Sequence, residues 1–137
     1  MKTLVSLVAV ALLAGCSSDD MPNSGGSLDQ PFQVGYGEQV TIPQEDLTLG
    51  FTQVDEDSRC PADLVCIQAG KAKITITAMK EGFPTEVLSL TLGGTSGGNV
   101  ATYLDYSIRL TKLMPYPLSN HYPVPDEYVA TFVVTKT

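Results

Sequence analysis

The sequence predicts an all-β domain, an antiparallel β-sandwich of immunoglobulin-like type with about seven strands. Three observations lead there. Apolar residues recur at every second position in one run after another. Gly, Pro and Asn separate those runs. No window sustains the period of an amphipathic helix.

Phe32, Val34 and Tyr36 alternate with Gln33 and Gly35, and Val40 and Ile42 flank Thr41. Leu47, Leu49 and Phe51 form the third run. Ala72, Ile74, Ile76 and Ala78 form the fourth, and Leu88, Leu90 and Leu92 the fifth. Leu104, Tyr106, Ile108 and Leu110 form the sixth, and Tyr128, Ala130, Phe132 and Val134 the last. Successive side chains of a strand point to opposite faces, so each run has one apolar face and one wetter face. Val, Ile, Thr and Tyr suit such pleated surfaces. The last run is apolar on both faces and is expected to lie centrally. Turns are expected at Gly37, at Pro43, at 82–84, and at Gly93-Gly94 with Gly97-Gly98-Asn99. Residues 114–125 (MPYPLSNHYPVP) are expected to form one loop across an end of the sandwich. A small closed barrel is the rival architecture.

The N-terminus is a different kind of segment. Lys2 precedes an apolar run from Leu4 to Leu13, followed by Ala14, Gly15 and Cys16. That run is about ten residues, half the roughly 20 that cross a bilayer, so it reads as the core of a secretory signal. Leu13-Ala14-Gly15-Cys16 resembles the bacterial lipobox. The resemblance implies cleavage before Cys16 and attachment of a diacylglycerol to its thiol. It also implies residence in the bacterial cell envelope, and Ser17 in place of Asp implies the outer membrane. The expected organisation is a signal peptide over 1–15, a lipidated N-terminus and flexible tether over 16–30, and the sandwich over 31–137. Residues 17–30 (SSDDMPNSGGSLDQ) have the small polar composition of such a tether.

Charge excludes some partners. Removing 1–15 takes away only Lys2 and leaves seven basic against 15 acidic residues, a net charge of −8. So acidic a chain is a poor ligand for nucleic acid or anionic headgroups. The acyl anchor is then the expected membrane contact, and an envelope protein the expected partner.

Cys60 and Cys66 remain as an even pair in an oxidising compartment, and a disulfide is expected. A metal site or a redox pair are the alternatives. The first calls for more Cys or His nearby, and the second is more often Cys-x-x-Cys. Asp57-Ser58-Arg59-Cys60-Pro61, a short loop, Cys66, and then Ala69-Gly70 before a strand resembles a recurrent pattern in small bacterial lipoproteins. Members often carry Val-Trp after the second cysteine, where this chain has Ile67-Gln68. The resemblance implies a secreted, disulfide-looped domain and assigns no activity.

Arg59 lies among Asp55, Glu56, Asp57 and Asp63. A guanidinium can grip a carboxylate through two parallel hydrogen bonds, which makes Arg59 and Asp57 candidate organisers of the loop. A solvated charged turn is the plainer alternative. The same acidic residues are a conceivable Ca²⁺ site, without the spacing or the glycine of an EF-hand. His121 has no Gly-x-Ser-x-Gly elbow to serve. The expectation is therefore no enzyme, no cofactor and no metal. Tyr116 and Tyr122 are candidates for a partner surface, because exposed Tyr buries area at low entropic cost; capping of the core is the alternative role. The leading functional expectation is a membrane-anchored binding or structural domain. A periplasmic inhibitor or ligand-binding module comes next, and a metal-dependent enzyme on the acidic loop last.

Overall fold

The computed structural model describes residues 25–95 and 97–137. The signal segment, the lipobox and Cys16 lie outside the described residues.

The domain is a β-sandwich of two antiparallel four-stranded sheets. Its eight strands are β1 (Phe32–Gly35), β2 (Gln39–Ile42), β3 (Leu47–Asp57), β4 (Lys71–Lys80), β5 (Glu86–Gly93), β6 (Val100–Tyr103), β7 (Tyr106–Met114) and β8 (Val129–Lys136). One sheet has the order β1-β8-β7-β6, with β8 inside it as its two apolar faces predict, and the other β2-β3-β4-β5. Among the described residues no helix is long and apolar enough to cross a membrane.

The layers are those of an immunoglobulin-like sandwich, but the connectivity differs. Immunoglobulin strands cross repeatedly between sheets. Here β2 to β5 stay in one sheet and β6 to β8 in the other. The order is that of an up-and-down barrel flattened into two layers. Each change of sheet is made by neighbouring residues that bond to opposite layers. Tyr36 N–H donates to Tyr128 O at 2.9 Å, and Gly37 N–H to Phe51 O at 2.7 Å. At the other edge Gly98 O accepts from Thr91 N–H, and Asn99 O from Leu110 N–H.

The core follows from the period-two pattern. Ala72, Ile74, Ile76 and Ala78 of β4 are fully buried, as are Ala130, Phe132 and Val134 of β8, and all seven belong to one core cluster. Each buried Leu, Ile or Phe contributes roughly 1.5–3 kcal/mol, so this interior is the main support of the fold. A bulge between Leu110 and Lys112 shifts the phase of β7, which is why Leu113 is buried after Leu110. Two bulges in β3 leave Asp57 opposite buried Ala72, on the face that Phe51 shares with Ile76.

Three details differ from the expectation. Among the described residues there are eight strands instead of about seven, because β6 is only four residues long and follows a glycine-rich stretch. Leu104 does not open the sixth predicted run. It occupies the turn between Tyr103 and Tyr106 at φ 52°, ahead of Asp105, at a position where Gly, Asn or Asp is the usual residue. The tether expected over 16–30 also ends earlier. Gly26 N–H donates to Thr41 O, Asp29 N–H donates to Val134 O, and Leu28 packs against the core. Residues 25–30 thus belong to the folded unit, since Leu28 buries apolar surface there.

Candidate functional site

The ends of the sandwich differ. At one, Tyr106 O–H donates to Glu45 Oε2 at 2.6 Å and accepts from Lys80 Nζ at 3.0 Å, while Lys136 Nζ reaches the same carboxylate at 3.0 Å. That cluster satisfies itself. The other end is built from the loop between β3 and β4 and the loop between β7 and β8.

Arg59 joins those two loops. It is 5% exposed and, among the described residues, the one charged residue that is buried. Its Nε donates to Asp57 Oδ1 and its Nη2 to Asp57 Oδ2, both at 2.8 Å. Nη1 continues to Leu113 O at 2.6 Å, and Nη2 to Pro115 O at 3.0 Å. The Tyr116 ring covers the guanidinium with its centroid at 4.3 Å. Tyr128 O–H donates to Asp57 Oδ2 at 2.7 Å. Among the described residues no buried side-chain nitrogen or oxygen lacks a partner. A buried charge is tolerated only when so fully met. The predicted organisers Arg59 and Asp57 therefore meet, and they hold together segments more than fifty residues apart.

The electrostatics follow. Burial opposes ionisation of Asp57, but the hydrogen bonds from Arg59 and Tyr128 and the guanidinium charge outweigh it and lower its pKa. For Tyr128 burial comes first and the Asp57 carboxylate second, and both push the phenol well above its ordinary value. The folded state therefore holds the phenol proton more tightly than the unfolded chain does. The resulting stability is complete below the unfolded tyrosine pKa of about 10 and is lost as pH rises through the folded value. Urea midpoints taken from pH 8 to 11 should fall above about pH 10, and Tyr128→Phe should flatten that limb. An equal decline in the variant would remove Tyr128 as its cause.

The disulfide loop docks beside this pair. Cys60 and Cys66 are bonded, with S–S 2.09 Å. Cys60 N–H donates to Ala69 O, and Ala62 N–H to Pro117 O, each at 2.9 Å. Asp63 takes the Ser119 amide at 2.9 Å and the Ser119 hydroxyl. Gly70, at φ 67°, closes the base so tightly that a Cβ there would stand 1.8 Å from Ser58 O.

The acidic residues do not converge. Asp55 accepts from Thr75 Oγ1, Glu56 from Ser58 Oγ, Asp57 from Arg59, and Asp63 from Ser119. His121 pairs with Glu127 at 3.1 Å. Among the described residues no three His, Cys, Asp or Glu are grouped to hold a metal ion.

Apolar side chains crowd the outside of the joined loops. Leu64, Val65 and Ile67 of one loop and Tyr116, Leu118, Tyr122 and Val124 of the other are exposed. The two candidate tyrosines divide. Tyr116 is half-exposed because one face lies on Arg59, and Tyr122 is 64% exposed. Val65 and Ile67, on either side of Cys66, are 103% and 105% exposed. Sequence reasoning did not single out these two. Two β-branched residues flanking a disulfide cysteine are the local signal, but only the pinned loop shows that nothing covers them.

Comparison of the chain with protein-family models, curated proteins and solved structures gives no match. The functional reading therefore rests on the geometry of this end and on the N-terminal sequence.

Proposed function

We propose that this protein is a bacterial envelope lipoprotein whose non-enzymatic β-sandwich binds a protein partner through the joined loops. The observation that carries the reading is the loop end itself. Two loops are locked by a fully satisfied buried ion pair, yet they leave seven large apolar side chains in water. Exposed patches of that kind mark contact sites. The locking favours binding as well, because a surface already ordered loses little entropy on association. This gives Tyr122 and the disulfide loop the role of contact residues, and Arg59 and Asp57 the role of support.

The anchor comes from Cys16. Each buried methylene of its acyl chains contributes about 0.8 kcal/mol, enough for two or more chains to hold the domain at a membrane. Cys16→Ala should move the protein from the membrane fraction to the soluble one. A photoreactive phenylalanine analogue at Tyr122 should give a discrete protein adduct in cells, and one at Glu81, in the turn between β4 and β5 at the far end, should not. Matching patterns at the two positions would defeat the loop-end reading.

A further inference from the structure

We infer that the disulfide loop is a substrate-like inhibitory loop for an endopeptidase with a small apolar primary pocket, and that Val65 is the side chain that enters that pocket. The inference rests on the loop-end reading and names the partner class for it.

Four observations converge on the loop. Val65 and Ile67 are fully exposed while Cys66 between them is tied to Cys60, so the tip is displayed on a fixed base. Within the described residues none of Val65, Cys66, Ile67 and Gln68 makes a backbone hydrogen bond, although both shoulders do, at Leu64 N–H to Pro61 O and at Cys60 N–H to Ala69 O. Free amides and carbonyls on a held segment are what a peptidase cleft pairs with when it takes a chain as an added strand. The tip from Leu64 to Gln68 carries no charge, and the neighbouring Asp63 is turned onto Ser119. That tip does not match an acidic primary pocket such as trypsin's. A short β-branched Val fits a small apolar one, of the elastase type. The loop is also braced behind the tip by Asp63 on the Pro-rich loop and by Gly70 against Ser58. Bracing keeps the shape of a bound loop in the free protein, and it would hold a cut end in place beside its partner.

The test uses the full lipidated chain, purified in detergent, against pancreatic elastase, chymotrypsin and trypsin. Elastase should be inhibited at a stoichiometric ratio with an inhibition constant below about 1 µM, and trypsin should not be. Val65→Lys should transfer inhibition, weakening it toward elastase by at least about 100-fold and creating it toward trypsin. Val65→Asp should abolish both. Val65 packs on nothing, so unchanged circular dichroism and urea midpoints will separate a lost contact from a lost fold. Absence of inhibition of all three enzymes at about 10 µM would overturn the inference, as would cutting between residues 64 and 68 with the enzyme left fully active. Either of those results alongside a Tyr122 adduct in cells would remove the peptidase and leave the contact surface standing.

Discussion

Arg59→Ala lowers the unfolding free energy by roughly 3–5 kcal/mol, because it strands Asp57 in a buried site without its counter-charge. The guanidinium meets both oxygens of that carboxylate and two carbonyls of the partner loop. All four lose the guanidinium at once, and the carboxylate keeps only the Tyr128 hydroxyl and the backbone amide of residue 59, neither of which carries a charge. A surface pair would cost about 0–1 kcal/mol, so the size of the loss distinguishes a buried pair from a solvated turn. Arg59→Lys should recover only part of the loss, since one ammonium cannot grip both oxygens in parallel. The double change Asp57→Leu with Arg59→Met should be milder than Arg59→Ala, since no charge then remains to be buried. Urea unfolding of the purified variants measures all of these. A change under about 1 kcal/mol for Arg59→Ala would mean that water reaches the pair freely. The acid side provides an independent check. Asp57 has a lowered folded pKa, so its stabilisation is present above the unfolded value of about 3.9 and is lost as pH falls through the folded value.

Gly70→Ala should cost roughly 3 kcal/mol, by a different route. The position has φ 67°, where a side chain costs about 1–2 kcal/mol. The new Cβ would also stand 1.8 Å from Ser58 O, which is backbone and cannot swing aside. Separating the two strand ends would strain the bonds that Ser58 makes with Lys71, Ser58 N–H to Lys71 O at 2.8 Å among them. The same substitution at Gly82 is the control. Its φ is 83° and a Cβ there meets nothing within 4 Å, so only the conformational cost remains. Thermal melts of the two variants should therefore differ, with Gly70→Ala the lower. Equal melts would mean that the loop base can open without loss.

Much of the fold was legible in the chain for one reason. Strand burial is a local property with a period of two, so Ala72 to Ala78 announce a buried face before any partner strand is known. The same logic failed where periodicity was broken by irregular backbone. The bulge in β7 puts Leu113 inside against the alternation, and the hairpin turn at Leu104 uses a left-handed residue that no sequence rule favours. The end of the tether was missed because a short bonded segment such as 25–28 has the same polar, glycine-rich look as a free one.

The site divides in the same way. The candidate pairing of Cys60 with Cys66 was readable because the two form an even pair close in sequence, and the pairing of Arg59 with Asp57 because those two are also near neighbours. Burial of that ion pair was not readable. It depends on Leu113, Pro115, Tyr116 and Tyr128, which arrive from the other sheet. The chain alone thus determined an acidic, all-strand domain with a disulfide-closed loop, because charge, period and cysteine parity are carried by near neighbours. Only the tertiary structure decided which loops meet, which tyrosine is committed to Arg59, and that Val65 and Ile67 stand uncovered. Contacts between residues far apart in sequence depend on sheet order and register, which no local pattern encodes.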